Sequence, residues 1–555
     1  MTKYGIRIGS RIMSKNINVE RVEIEMDDKT LLSKILGEGR TTRREFMVGA
    51  TAMGLSIAAA SNLWTEARAS EPKRGGHMKA GLNDSNTTDS LDPASFNATG
   101  MICISRAFRD SLVEVGQDNS AAPGLAESWE SSADAKTWRF KLRKGVTFSN
   151  GKSLTTEDVI NSINVHRGDD SKSGAKGVFA GISDVTADGN DVVVVSLAEA
   201  NASFPFLMTD YHMNVVPTKD GKADVISTDG TGCYLLKEFN PGVRATFEKN
   251  PNAWQGSDFG YVDSCEITTI LDDTARQTAL STQSVDIINR PALKTVGLLN
   301  RLPHVNVIAV KSNLAFTHPM RMDVKPFDNN DLRQALKHAL PRQEFVDKIL
   351  FGYGSVGNDQ PLGPAFASYD GELKTEYDLD KAKSLLKKAG MEGIKIDMHS
   401  AETAYGGALD AAQLFAEHFA KIGVNLNVIR EAKDGYWNNI WNNKPFCSCY
   451  WGARPVEDMI LSIAYLSDAP WNDTVIKMDQ VDQLVKAARG ELDDAKRNAM
   501  YKDVQMLIAR NGGTLVPAFG QDVAATNKKV GIGPKIGGGW EMDGGHFIKR
   551  WWLNA

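Results

Sequence analysis

Beyond residue 75 the chain alternates two hydrophobic periods: every second position over short runs, and every third or fourth over longer ones. The first period predicts strands and the second amphipathic helices, so the whole reads as α/β. Strands are expected at 76–82, Trp138–Leu142 and Asp191–Leu197, where apolar residues alternate with polar ones or form a Val run. After the Gly-Thr-Gly bend at 230–232, the run CYLLKEF predicts a strand. Asn240-Pro241-Gly242 then turns it back onto a partner at Ala245–Lys249. Further strands are expected at Val285–Ile288 and Val424–Ile429. Helices are predicted over Thr155–Val165, where Thr-Thr-Glu-Asp is a capped start, and over Thr274–Ser281. Three more have clear stops: Asp331–Leu340 before Pro341, Leu379–Ala389 before Gly390, and Leu409–Ile422 before Gly423. Met478–Arg510 holds two helical segments, and the C-terminus is rich in glycine and aromatics. No short internal repeat or low-complexity linker interrupts the pattern.

Residues 41–69 break the pattern. Arg43-Arg44 is followed by an uncharged, weakly apolar run from Phe46 to Thr65, and Ala67-Arg68-Ala69 closes it as a small-x-small cleavage site. That order is a twin-arginine export signal, so the mature chain is expected to begin near Ser70 and to be carried out already folded by the twin-arginine machinery. A membrane-spanning helix is the competing reading, since about 20 apolar residues cross a bilayer. Gly49, Gly54, Ser56, Ser61 and Asn62, without a Leu/Ile/Val-rich block, argue against it. The first cysteine, Cys103, lies far past the cleavage site, so a lipid anchor is not expected. The extension before the arginines leaves Met13 and Met26 as alternative starts.

Export changes the meaning of the composition. Removing residues 1–69 takes away 11 of 64 basic and 8 of 69 acidic residues, leaving 53 against 61 and a net charge of −8. Such a balance opposes a nucleic-acid partner, and no other apolar stretch is long enough to span a membrane. The remaining 486 residues exceed what one core fills, so two or three domains are expected. Five cysteines in an oxidising compartment leave at least one unpaired. Cys447-Ser448-Cys449 could be a metal or redox pair. The alternation through Tyr450-Trp451 favours a buried strand with cysteine as a small hydrophobe, and no second Cys/His cluster offers further zinc ligands.

Catalytic signatures are missing. There is no zinc-binding H-E-x-x-H, no G-x-S-x-G elbow in the mature chain and no phosphate loop ending in Gly-Lys-Ser/Thr. The nine histidines stand singly. These absences turn the reading from enzyme to binder, with no cofactor.

From Leu125 the motifs become specific. Leu125-Ala126-Glu127-Ser128-Trp129, then Trp138-x-Phe140-x-Leu142-Arg143-x-Gly145-Val146-x-Phe148, Gly151 and Thr156-Glu157-Asp158-Val159 resemble the family 5 solute-binding proteins of ABC transporters, the peptide, dipeptide, opine and nickel group. GTGCYLL at 230–236, FEKNPNAW at 247–254 and PFDNNDLRQALKHAL at 326–340 continue that family's order, so the likeness covers about 75–555. Ser149-Asn150 before Gly151, and Cys233 in place of a proline, depart from its pattern. Most of these residues have folding reasons: turns at Gly145 and Gly151, core positions for Trp129, Trp138 and Phe148, and structural ion pairs for Arg143 and Arg333. The resemblance implies a type II periplasmic-binding fold, two α/β lobes joined by a two-strand hinge. Lobe I would comprise 70–112, 229–312 and 515–555. An inserted domain would occupy 113–228 and lobe II 313–514.

A candidate site follows from aromatic density. Tyr436, Trp437, Trp441, Phe446, Tyr450, Trp451, Tyr465 and Trp471 fall within 36 positions. A lobe II core would explain them, but Trp437 and Trp441 stand among four asparagines, a setting suited to a mixed polar and apolar ligand. YWGARPVED at 450–458 resembles a family segment in which, in dipeptide-binding relatives, an acid holds the ligand's α-ammonium. That role carries to Asp458 or Glu457, with shifted spacing. Arg454 in the same segment, and Arg321 before the Pro326 helix, are the cationic candidates, suited to a carboxylate or phosphate; surface ion pairs are the competing reading for both. The expectation is a monomeric, soluble periplasmic protein that captures a short peptide or an amino-acid-like solute such as an opine for an ABC permease. A secreted hydrolase and a sensory binding protein are the alternatives.

Overall fold

The computed structural model describes residues 72–432, 436–454, 456–469 and 471–554. Arg43 and Arg44, and with them the export reading, lie outside the described residues. Among the described residues no helix is long and apolar enough to cross a membrane.

Strand β1 (His77–Leu82) opens the chain and helix α1 (Thr99–Phe108) follows it. An antiparallel sheet comes next, from β2 (Ala126–Ser131), β3 (Thr137–Leu142), β4 (Ile182–Asp188) and β5 (Val192–Leu197), in the order β2-β3-β5-β4. Along β3 and β5 every second side chain is buried, the consequence of the period-two pattern. Those inward residues, with Phe148, Phe204 and the inner face of α2 (Thr156–Asn164), form one hydrophobic core. Helix α2 starts at a capping box: Thr155 Oγ1 accepts from the Asp158 N–H at 3.4 Å, and Asp158 accepts from the Thr155 N–H at 2.9 Å. Asp158 is further held by Lys152 and by the Thr218 N–H at 2.6 Å, so the cap also fastens the helix to its neighbours.

The chain then completes a nine-stranded sheet with β6 (Tyr234–Asn240), β7 (Arg244–Lys249), β8 (Ser264–Thr269), β9 (Ile287–Asn289), β10 (Val305–Pro319), β11 (Gly354–Val356), β14 (Cys449–Trp451) and β15 (Thr514–Asn527). The order is β6-β7-β8-β1-β9-β15-β10-β14, with β11 also on β15. Strand β1 lies parallel to β8 and β9, while β10 and β15 run antiparallel along nearly their whole length. Their register shifts between Lys311 and Ala315 and again between Phe316 and His318, so the longest pair in the molecule is interrupted near its middle. On one side of that break, Met78, Phe108, Tyr234, Phe247, Ile267, Phe547 and Trp551 share a core.

Helix α3 (Asp273–Ser281) lies between β8 and β9 in the chain, and on the other side of the break two further cores form. One packs α4 (Asn330–His338), α5 (Leu379–Lys388) and α6 (Ala408–Ala420) over a parallel pair, β12 (Lys395–Ser400) and β13 (Asn425–Arg430), through Leu336, Phe345, Leu386, Met398, Phe415 and Phe446. The other gathers Trp451, Leu461, Tyr465, Val485, Tyr501 and Phe519 from β14, β15 and helices α7 (Glu457–Ala464), α8 (Asp479–Gly490) and α9 (Asp494–Asn511). Asp378 and Asp493 cap α5 and α9, giving each an acceptor for orphan N–H groups.

Among the described residues two expected ion pairs are absent. Arg143 lies over the Trp254 ring at 4.4 Å and donates to the Gly124 carbonyl at 3.3 Å. Arg333 donates to the Phe327 and Asn511 carbonyls, each at 2.7 Å. Both cations fasten backbone carbonyls that no secondary structure satisfies, a service invisible in the sequence. All five cysteines are buried and unpaired. Burial pushes their thiols up, that of Cys233 to about 12, so they behave as small hydrophobes.

Candidate functional site

Strand β14 is three residues long and edges β10, with Trp451 opposite Ala315 and Tyr450 opposite Phe316. Alternation buries Cys449 and Trp451 and leaves Tyr450 42% exposed on the other face. The short turn Tyr436–Asn439 brings Trp437 beside that exposed ring, centroids 5.8 Å apart and 66° between planes. Trp437 meets Trp441 at 5.9 Å, and Trp441 meets Trp451 at 6.0 Å and Trp471 at 6.1 Å. Trp471 is 46% exposed, so the series Tyr450–Trp437–Trp441–Trp471 is rooted in the core and surfaces at both ends. Most of these contacts are edge-to-face, the arrangement aromatic quadrupoles favour.

Asp473 lies beneath the rings. Trp441 Nε1–H donates to its Oδ2 at 3.2 Å. Burial pushes this carboxyl up to about 7, against the opposing pull of hydrogen bonds from the Trp441 and Trp451 indoles. The aromatic cluster is therefore held by a carboxylate that titrates near neutrality.

Past β14, Gly452 to Arg454 leave the sheet. Arg454 Nη1 donates to the Gly452 and Ala453 carbonyls of its own turn, both at 3.1 Å. Burial lowers this guanidinium from its ordinary value, opposed by Tyr211, Asp210 and Tyr450. Two of those three groups come from more than two hundred residues away. Asp210 is already bound to His212, at 2.6 Å to Nδ1 and 2.9 Å to its N–H. Tyr211 stacks on His212 at 4.2 Å and packs against Trp540 at 5.4 Å. The Trp540 indole N–H is buried and has no hydrogen-bond partner among the described residues.

The residues singled out from sequence divide into two groups. Trp437, Trp441 and Trp451 stand together, with Arg454 close by. The other three are held inside the chain. Glu457 Oε1 accepts from Ser368 Oγ at 2.6 Å and from the Ser368 N–H at 3.3 Å. Asp458 receives both bonds of Arg489 Nε, at 3.0 and 3.1 Å, and that of Ser462 Oγ at 3.0 Å. Arg321 grips Asp323 through Nε at 3.1 Å and Nη2 at 2.8 Å, and also bonds the Asn442 carbonyl. Sequence reasoning missed Tyr211, Trp540 and Asp473. The first two lie too far along the chain for any local pattern to place them beside Arg454. Asp473, two residues past Trp471, was within reach of a local reading.

Aromatic faces and one cation can hold a solute; among the described residues no nucleophile with an adjacent base completes a reacting centre there. Among the described residues no group of three or more His, Cys, Asp or Glu could hold a metal ion.

Known proteins share the sequence and the fold of this chain. Residues 120–473 match the model of the bacterial extracellular solute-binding proteins, family 5 Middle. The di/tripeptide-binding protein 1 of Pseudomonas aeruginosa is 27% identical over 433 residues, 70% of this chain and 78% of that one. Heme-binding protein A of Haemophilus influenzae is 24% identical over 457 residues, 75% of this chain and 82% of that one. Among solved structures, the ABC transporter-associated periplasmic binding protein DppA of Helicobacter pylori, in complex with a peptide, superposes with a TM-score of 0.69. That match has 22% identity and covers 88% of this chain and 100% of DppA. The mixed α/β fold is that of the periplasmic binding proteins.

Proposed function

The chain belongs to the bacterial extracellular solute-binding proteins of family 5, and from that premise we propose that it is the periplasmic receptor of an ABC importer. It takes a short peptide or an amino-acid-like solute, such as an opine, into a cleft between two lobes and delivers it to the permease. Proteins of this family bind without catalysing, so the chain is not an enzyme. Lobe I is assigned to 70–112, 229–312 and 515–555, the inserted domain to 113–228 and lobe II to 313–514. Strands β10 and β15 are the two connections, and the register break at Lys311–Ala315 is where they would bend.

One observation carries the reading. Tyr211, the 437–454 aromatics with Arg454, and Trp540 come from three remote stretches, and they leave exposed rings and a cation with no carboxylate partner among the described residues rather than a closed core. Native mass spectrometry of the protein purified from its own periplasm tests it. The expected spectrum carries a small non-covalent adduct that leaves on mild activation. An adduct-free protein that also fails to respond to its host's small-solute pool contradicts the proposal.

A further inference from the structure

We propose that the solute is held by an anionic group, a carboxylate or a phosphate, that docks on Arg454 between Tyr211 and Tyr450 while an apolar or ring-bearing part of the same solute lies on Trp437 and Trp441. This rests on the solute-binding reading above and names the chemical class that the site accepts.

Arg454 lacks a counter-charge of its own: among the described residues no carboxylate lies within ion-pair distance of it and no ring lies within cation–π distance. Its only hydrogen bonds are those of Nη1 to two carbonyls of its own turn. Buried cations elsewhere among the described residues are held by distant segments: Arg109 bonds the Leu91, Val225 and Ser227 carbonyls, Arg333 the Asn511 carbonyl and Lys337 those of Ala509 and Gly512, and others have a carboxylate. Arg342 pairs with Asp359 at 2.5 Å, Lys549 with Asp110 at 3.1 Å, and Arg489 with Asp458 at 3.0 Å. Arg454 is half-buried and held by its own turn alone, and a guanidinium partly withdrawn from water without a counter-charge is relieved when an anion arrives. Asp210, the nearest acid that acts on it, is spent on His212. Nε and Nη2 are left as parallel donors, the fork that a carboxylate or phosphate accepts.

The second observation is what stands around that fork. Tyr450, four residues before Arg454, is exposed and meets Trp437 at 5.8 Å, so the cation follows closely on the aromatic series along the chain. Tyr211 acts on Arg454 from a distant stretch and packs at 5.4 Å on Trp540, whose buried indole N–H has no partner among the described residues. The carboxylates of the neighbourhood are already engaged: Asp210 by His212, Glu457 by Ser368, Asp458 by Arg489 and Asp473 by the Trp441 indole. A cationic solute would meet an uncompensated like charge; an anionic one meets donors.

Three probes with a common ring separate the possibilities: N-acetylphenylalanine, phenylalanine amide and phenyl phosphate, each titrated while tryptophan fluorescence and calorimetric heat are read. An acidic probe is expected to bind at least about tenfold tighter than the amide, and Arg454→Gln to abolish that preference. Arg454→Lys keeps the charge without the fork, so it should retain a weaker preference. Which acid binds better tells carboxylate from phosphate. The variants' ligand-free melting points should match the parent's, since the side chain bonds only its own turn. Equal or tighter binding of the amide, or a preference that survives Arg454→Gln, overturns the proposal. So does a co-purified adduct that carries no acidic group, which leaves the solute-binding reading standing. An acidic adduct lost from Arg454→Gln supports it even where the probes are too small to bind. A protein that takes up neither probe nor adduct removes both.

Discussion

Asp458→Asn should unfold this protein more readily, with no need of ligand to reveal the effect. The carboxylate takes both bonds of Arg489 Nε at 3.0 and 3.1 Å, with the two side chains 13% and 20% exposed. Arg489 also donates to Ser462 at 2.7 Å, and its own carbonyl accepts from the Ala202 N–H at 2.7 Å. Removing the charge therefore loosens a tie between α7, α8 and the segment that follows β5. Exposed pairs contribute about 0.2–1 kcal/mol, and breaking a fully buried pair costs about 3–5 kcal/mol. At this exposure, with the amide oxygen still able to accept one bond, a loss of about 1–3 kcal/mol is expected. Domains of about 150–250 residues lose about 2–4 °C per kcal/mol, so the melting midpoint should fall by several degrees. Circular dichroism of the ligand-free protein at pH 7 measures it, and Arg489→Gln should produce a similar fall. The double variant should lose less than the sum of the two, as coupled partners do. Unchanged midpoints in both single variants, together with lost solute binding in Asp458→Asn, would refute this and return Asp458 to the ligand.

Replacing Arg43-Arg44 by Lys-Lys should strand the precursor in the cytoplasm; normal appearance of the variant in the periplasm contradicts the twin-arginine reading. Asp473, with a folded value of about 7 against an ordinary 3.8, keeps its proton in the folded protein where the unfolded chain has lost it. Its effect is thus a stability that declines as pH rises from about 4 to about 7 and is level above. Asp473→Asn should flatten that decline in urea melts, and an unaltered pH slope would show that the carboxyl ionises freely. Ellman's reagent should find no reactive thiol in the native protein and five after denaturation. Fewer than five would mean a disulfide.

The elements were legible where local chemistry decides them. Period-two runs such as Trp138–Leu142 and caps such as Thr155 with Asp158 depend on residues within a few positions of one another. The aromatic cluster was legible for the same reason, its four tryptophans falling between 437 and 471. Charges were not. Glu457, Asp458 and Arg321 look alike in the sequence whether they face a solute or a neighbour, and the partner decides. Ser368 is 89 positions from Glu457 and Arg489 is 31 from Asp458. Asp323 lies only two residues after Arg321, so that pair was within reach of a local reading. Tyr211 and Trp540 meet across more than three hundred residues through the order of strands in the large sheet, which one sequence does not specify.

The most direct test of a binding protein that closes on its solute is small-angle X-ray scattering of the mature chain. Bound solute is first removed by unfolding and refolding, then returned to saturation. Solute can drive closure only if it binds the closed form better than the open one. The radius of gyration should be smaller with solute than without it, and should be restored when the solute is dialysed away. A radius that stays the same at saturation would contradict it.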